Sequence, residues 1–129
     1  MELYKKYEFQ IKEIESLEKE QSRIRIALTS FENKKNENSM VKSELGLLEN
    51  DDVVYKLIGP ILVKQEINEA KLQVDHRLEM INKEINKLDK NYRDNNTKIE
   101  ENRKSLIEIQ NKLLQLSRQI QQTKSQEGK

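Results

Sequence analysis

The chain of 129 residues has no cysteine and no tryptophan, a single histidine, one proline and three glycines. Without cysteine there is no disulfide framework and no thiolate chemistry. One histidine, His76, at an outward helix position gives a zinc site nothing to build on. An excess of one charge is also missing. Lys and Arg number 24 against 23 Asp and Glu, a formal +1 that sets up no field toward nucleic acid or an anionic membrane. Long apolar runs are absent, since no window approaches the ~18 apolar residues of a membrane span. The start, Met1-Glu2-Leu3-Tyr4-Lys5-Lys6, lacks the apolar core of a signal peptide, so the expectation is a cytoplasmic chain. There is no glycine loop to cradle phosphate and no nucleophile elbow. The carboxylates alternate with lysines as i, i+4 pairs on helix faces. No catalytic residue, cofactor or metal is expected, and the chain does not read as an enzyme. The glycosylation-like triplet Asn95-Asn96-Thr97 is put down to chance, because Asn95 falls on a core position.

What is present is helix-forming sequence. At 34% hydrophobic and 36% charged, the chain lacks material for a broad core but has enough for a narrow seam. With Tyr7 as heptad position a, the first a and d sites run Leu3, Tyr7, Gln10, Ile14, Leu17, Gln21, Ile24, Leu28 and Phe31. Lys35, Asn38 and Lys42 then weaken the seam before Leu45. The polar stretch Glu32 to Ser39 holds no glycine or proline and is read as continuous helix, with lysine stems covering the seam. A first helix over 3–48 follows, weakest at Gly46.

Asn50-Asp51-Asp52 stops that helix, and from Val53 the apolar period shortens from about 3.6 to about 2. Val53, Tyr55 and Leu57 alternate with Val54, Lys56 and Ile58; Gly59-Pro60 intervenes, and Ile61, Leu62 and Val63 resume the β-rich pattern. This predicts a β-hairpin over 53–65 whose turn type stays open. A lone two-stranded hairpin is marginal in water. Either it joins other hairpins, making residues 53–55 and 57–63 an assembly surface, or it folds down onto its own helices.

From Ile67, thirteen of the sixteen a and d sites up to Ile120 are apolar, which predicts a second helix over 66–123 and a disordered tail over 124–129. A chain reversed near Gly59 pairs the helices antiparallel. The register in which paired numbers sum to 116 sets Leu17 against Ile99, Ile24 against Tyr92 and Leu28 against Leu88. It also sets Gln21 against Asn95, two amides able to bond each other and penalise slipped registers. Leu3 then faces Leu113, and the second helix runs on past its partner. Leu114, Leu116 and Ile120, with Tyr4 and Tyr7 nearby, form an apolar end remote from the hairpin. Two readings of that end are open: a capture surface for exposed apolar segments, or a frayed terminus.

Helix, then V-V-Y-K-L-I-G-P-I-L-V-K-Q-E, then E-A-K-L-Q-V-D-H-R-L-E-M-I and a second long helix resembles the β-type subunits of the prefoldin family. The resemblance is clearest from Val41 to Ile120 and most specific in the hairpin, Glu69-Ala70 and Arg77-Leu78-Glu79. It implies a mainly α fold: a long antiparallel two-helix coiled coil whose single β-hairpin assembles into a β-barrel with other subunits. The implied complex has two α-type and four β-type subunits. Its implied work is ATP-independent holding of unfolded proteins such as actin and tubulin at the coiled-coil tips, and their transfer to the cytosolic chaperonin. A structural coiled-coil adaptor docking through the hairpin is the alternative. Nucleic-acid binding has only Lys34-Lys35 and scattered basic residues in its favour.

Overall fold

The computed structural model describes residues 2–127, as two helices and two strands in the order α1 (Glu2–Gly46), β1 (Val54–Ile58), β2 (Ile61–Gln65) and α2 (Ile67–Glu127). α1 is unbroken through the polar stretch, where Asn38 Nδ2 donates to the Lys34 carbonyl at 2.8 Å. It stops at Gly46, two residues before the expected end. Leu47 and Leu48 close the last turn with short-range bonds to the carbonyls of Glu44 and Leu45, and a residue of low helix propensity is where such a fray begins. The Asp52 carboxylate accepts from the Glu49 amide at 2.7 Å while the Asp52 amide donates to the Glu49 carbonyl, so the acidic cluster does form the turn.

α2 corrects the expected C-terminal boundary. It continues to Glu127 instead of ending at Thr123, since Lys124, Ser125, Gln126 and Glu127 offer neither glycine nor proline to stop it. Residues 128–129 of the expected tail lie outside the described residues.

The chain divides into two compact units. In one, the part of α1 up to Ile24 pairs with α2 from Asn91 onward. Its core is the seam predicted from the heptads: Ile14, Ile24 and Ile99 are buried, and Gln21 and Asn95 are buried with them. Asn95 Nδ2 donates to Gln21 Oε1 at 3.0 Å and to the Leu17 carbonyl at 2.9 Å, and Gln21 Nε2 donates to the Tyr92 carbonyl at 3.1 Å. The two amides thus share a layer, as the register summing to 116 requires. Arg103 bonds Glu18 across the same helix pair at 2.9 Å.

The other unit is Arg25–Lys90. Its core is Leu45, Ala70 and Val74, with Leu48, Val54 and Leu78 packed around them. Lys42, a charged residue on a heptad seam position, is exposed and extends Nζ to Asp75 at 2.9 Å. Both side chains are more than half exposed, so the pair adds at most about 1 kcal/mol.

Candidate functional site

Strands β1 and β2 pair antiparallel, with Val54 opposite Gln65, Lys56 opposite Val63, and Ile58 opposite Ile61; Tyr55 opposite Lys64 and Leu57 opposite Leu62 alternate with them. Ile58 and Ile61 flank a two-residue turn, Gly59-Pro60. Gly59 has φ +59°, a conformation that costs other residues about 1–2 kcal/mol. Proline cannot take positive φ, so a first turn residue with positive φ followed by proline matches a type II′ hairpin turn. That turn carries the twist of the flanking strands.

Period-two alternation gives the hairpin two faces. On the first, Val54 turns into the Leu45 and Val74 core, and Lys56 and Gln65 both reach Gln73 Oε1 on α2, at 3.4 and 2.9 Å. On the second, Tyr55, Leu57 and Leu62 are 59%, 67% and 65% exposed. Val53, Ile58, Ile61 and Val63 are exposed as well. The hairpin is therefore anchored by its base and does not lie down on its helices. Apart from Val54, the apolar residues predicted as an assembly surface are open to contact. Gln73 was not among the predicted residues, and nothing in its local pattern marks a glutamine on a helix flank as the anchor of a strand pair.

In the first unit, Leu3, Tyr7 and Leu113 are half-buried at the seam. Tyr4, Leu114, Leu116 and Ile120 are exposed. The rings of Tyr4 and Tyr7 stack with centroids 6.3 Å apart. Tyr7, Leu113 and Leu114 line a shallow groove of about 430 Å³ with Gln110, Asn111 and Ser117. Leu116 and Ile120 lie on seam positions of α2 yet are exposed, whereas every earlier seam position from Ile67 to Leu113 is at least half-buried. Ile107, exposed, and Ile11, half-buried, were not among the predicted apolar residues.

Helices joined by one short hairpin whose apolar residues face outward define a class of subunit that acts through its surfaces. A family model described as "Prefoldin subunit" matches residues 8–113, and the chain belongs to that family, whose members are subunits of a co-chaperone. It is 35% identical over 121 residues, 94% of either chain, to the probable prefoldin subunit 6 of Caenorhabditis briggsae. It is 36% identical over 108 residues, 84% of either chain, to prefoldin subunit 6 of Homo sapiens. The fold is similar to the crystal structure of the prefoldin beta subunit from Thermococcus strain KS-1, with TM-score 0.74 and 20% identity over 78% of this chain and 88% of that one. No helix among the described residues is long and apolar enough to cross a membrane.

Proposed function

We propose that this chain takes the subunit 6 position in a cytoplasmic prefoldin hexamer of two α-type and four β-type subunits, joining it through residues 53–65 as part of a β-barrel. Its free helix end, with Leu3, Tyr4, Tyr7, Leu113, Leu114, Leu116 and Ile120, contacts unfolded clients of the actin and tubulin kind. The complex passes them to the cytosolic chaperonin, and the chain contributes no catalysis and uses no ATP. One observation carries the assembly half of this reading: a hairpin of Val, Leu, Ile and Tyr held by its base and left exposed. Each such side chain gains about 1.5–3 kcal/mol when fully buried, which is ample reason to enter a shared sheet. The exposed seam residues Leu116 and Ile120 support the capture half. Their contacts are individually weak, and several tips on one client supply avidity.

The two halves separate in one experiment on the reconstituted complex. Removing residues 53–65 abolishes incorporation, read by native mass spectrometry. Leu116→Asp with Ile120→Asp leaves incorporation intact and lowers suppression of client aggregation severalfold. A hairpin-less chain that still enters the complex overturns the assembly half. Full suppression by the aspartate variant overturns the capture half, and an intact complex that suppresses nothing favours a structural adaptor.

A further inference from the structure

Within the unit Arg25–Lys90, the base of the hairpin and the two helices partly enclose a cavity of about 170 Å³. Its apolar lining includes the buried core residues Leu45, Ala70 and Val74 and the half-buried Val54. Its polar lining is Lys56, Gln65, Gln73 and Arg77. No carboxylate lines it, in a chain that has 23, so the charge around this cavity is all of one sign. Ala70, Gln73, Val74 and Arg77 form one stripe of α2 at i, i+3, i+4 and i+7. Helix geometry therefore sets an apolar patch and a cation side by side.

Neither cation is neutralised. Lysines on the open helix faces need no partner, because water solvates them. Lys56 differs in being half-buried, where an ammonium without a counter-ion is costly. Among the described residues its Nζ reaches one acceptor, Gln73 Oε1, at 3.4 Å, and Gln65 Nε2 already donates to that oxygen at 2.9 Å. An ammonium has three donors, so most of its hydrogen-bonding capacity is open. The exposed side chain of Arg77 makes no ion pair or hydrogen bond among the described residues. Its guanidinium is a planar fork that matches a carboxylate. Size narrows the occupant further. A dry cavity of about 150 Å³ holds one benzene ring, so this one takes a single Phe- or Leu-sized group and has no room for a nucleotide or a long acyl chain. Val41, Tyr55 and Arg77 are exposed, so the cavity opens to solvent and a chain can leave it.

We propose that this cavity binds the C-terminal residue of another polypeptide, with its apolar side chain against Leu45, Ala70 and Val74 and its terminal carboxylate held by Arg77 and Lys56. A chain end carries both groups on one Cα, which suits an apolar patch and a cation that lie on adjacent turns of one helix. The site is complete within one chain. It shares no residue with the helix end and does not use the hairpin face of Leu57 and Leu62, so it stands apart from both halves of the function proposed above.

The probe is a dye-labelled peptide, Gly-Ser-Gly-Ser-Phe, with a free C-terminal carboxylate. It is titrated into the full chain and into the reconstituted complex, and fluorescence anisotropy is read. Saturable binding to both is expected. The same peptide as its C-terminal amide, and a peptide ending in Gly, each bind about tenfold more weakly. Arg77→Gln, and separately Lys56→Gln, lower the affinity for the free acid by about tenfold, with unchanged helicity by circular dichroism. Leu116→Asp with Ile120→Asp keeps full affinity. Equal binding of the amide or of the Gly-ended peptide, unchanged affinity in both cation variants, or binding to the isolated chain but not to the complex overturns the proposal. Loss of affinity in the double aspartate variant places the probe at the helix end and overturns it too. If 3-phenylpropionate displaces the probe as well as the unlabelled peptide does, the cavity takes a small acid and the assignment to a chain end fails. If no complex forms, the assembly reading fails while titration of the isolated chain still decides this one.

Discussion

Gln21 and Asn95 set the register of their helix pair by the cost of leaving either one alone. Asn95 Nδ2 serves two acceptors, Gln21 Oε1 and the Leu17 carbonyl, in a layer where both residues are buried. Asn95→Ala strips Gln21 Oε1 of that donor and costs about 1–3 kcal/mol, read as a lower thermal midpoint. Gln21→Leu with Asn95→Leu replaces the layer by apolar contact and is neutral or stabilising. That double variant loses the penalty on slipped pairings. Spin labels at Ser16 and Glu100 then report a broadened distance distribution where the natural chain gives a narrow one; a narrow distribution in the double variant sinks the register role. The pairing was legible because the heptads and the reversal at Gly59 leave one register that aligns both amides. Their bonds to the carbonyls of Leu17 and Tyr92 were not, since helical carbonyls already accept backbone bonds and only coordinates show which accept a second. Gly59 is the other residue with a distinct demand. A Cβ there meets nothing within 4 Å and φ is +59°. Gly59→Ala therefore costs backbone conformation alone, about 1–2 kcal/mol, and Gly59→Asn costs less because asparagine tolerates that region better.

Each element follows from a different physical signal, and the signals differ in reach. The hairpin was legible from the change of period at Val53, and the unbroken α1 from the absence of any glycine or proline between Leu3 and Leu45. The end of α2 was not, because a polar helix running past its partner has no packing to mark its boundary; propensity alone carries Lys124 to Glu127. How the hairpin is tethered was equally hidden. Gln65 and Lys56 are adjacent across the strand pair only through Val54 and Val63, yet both converge on Gln73 Oε1. These are exposed bonds, worth about 0.5–1.5 kcal/mol each in net terms. Gln73→Ala accordingly speeds amide exchange within residues 54–65 severalfold in the isolated chain and leaves α1 unchanged. Equal acceleration throughout the chain would mean that Gln73 supports global stability and not the hairpin's attachment.

At the scale of the whole molecule, composition and exposure pull against each other. A charged fraction of 36% keeps the helices solvated, but a formal charge of +1 provides almost no long-range repulsion between copies. The hairpin is then the surface predicted to bring copies together. Among the described residues its two strands pair only with each other, so each has an outer edge of backbone donors and acceptors open to a further strand, and its exposed face carries Tyr55, Leu57 and Leu62. The isolated chain is predicted to self-associate with rising concentration, as seen in sedimentation velocity. Because net charge is small and the contact apolar, raising the salt concentration does not reverse the association. Leu57→Lys with Leu62→Lys places two cations opposite each other on that face, where like charges repel. The variant stays monomeric at concentrations about tenfold higher than the natural chain does. Adding the other subunits to the natural chain converts its self-associated forms to the mixed complex, since a complementary sheet edge satisfies the same groups without the mismatches of a homotypic contact. Self-association that persists in the double lysine variant would locate the homotypic contact outside the hairpin face.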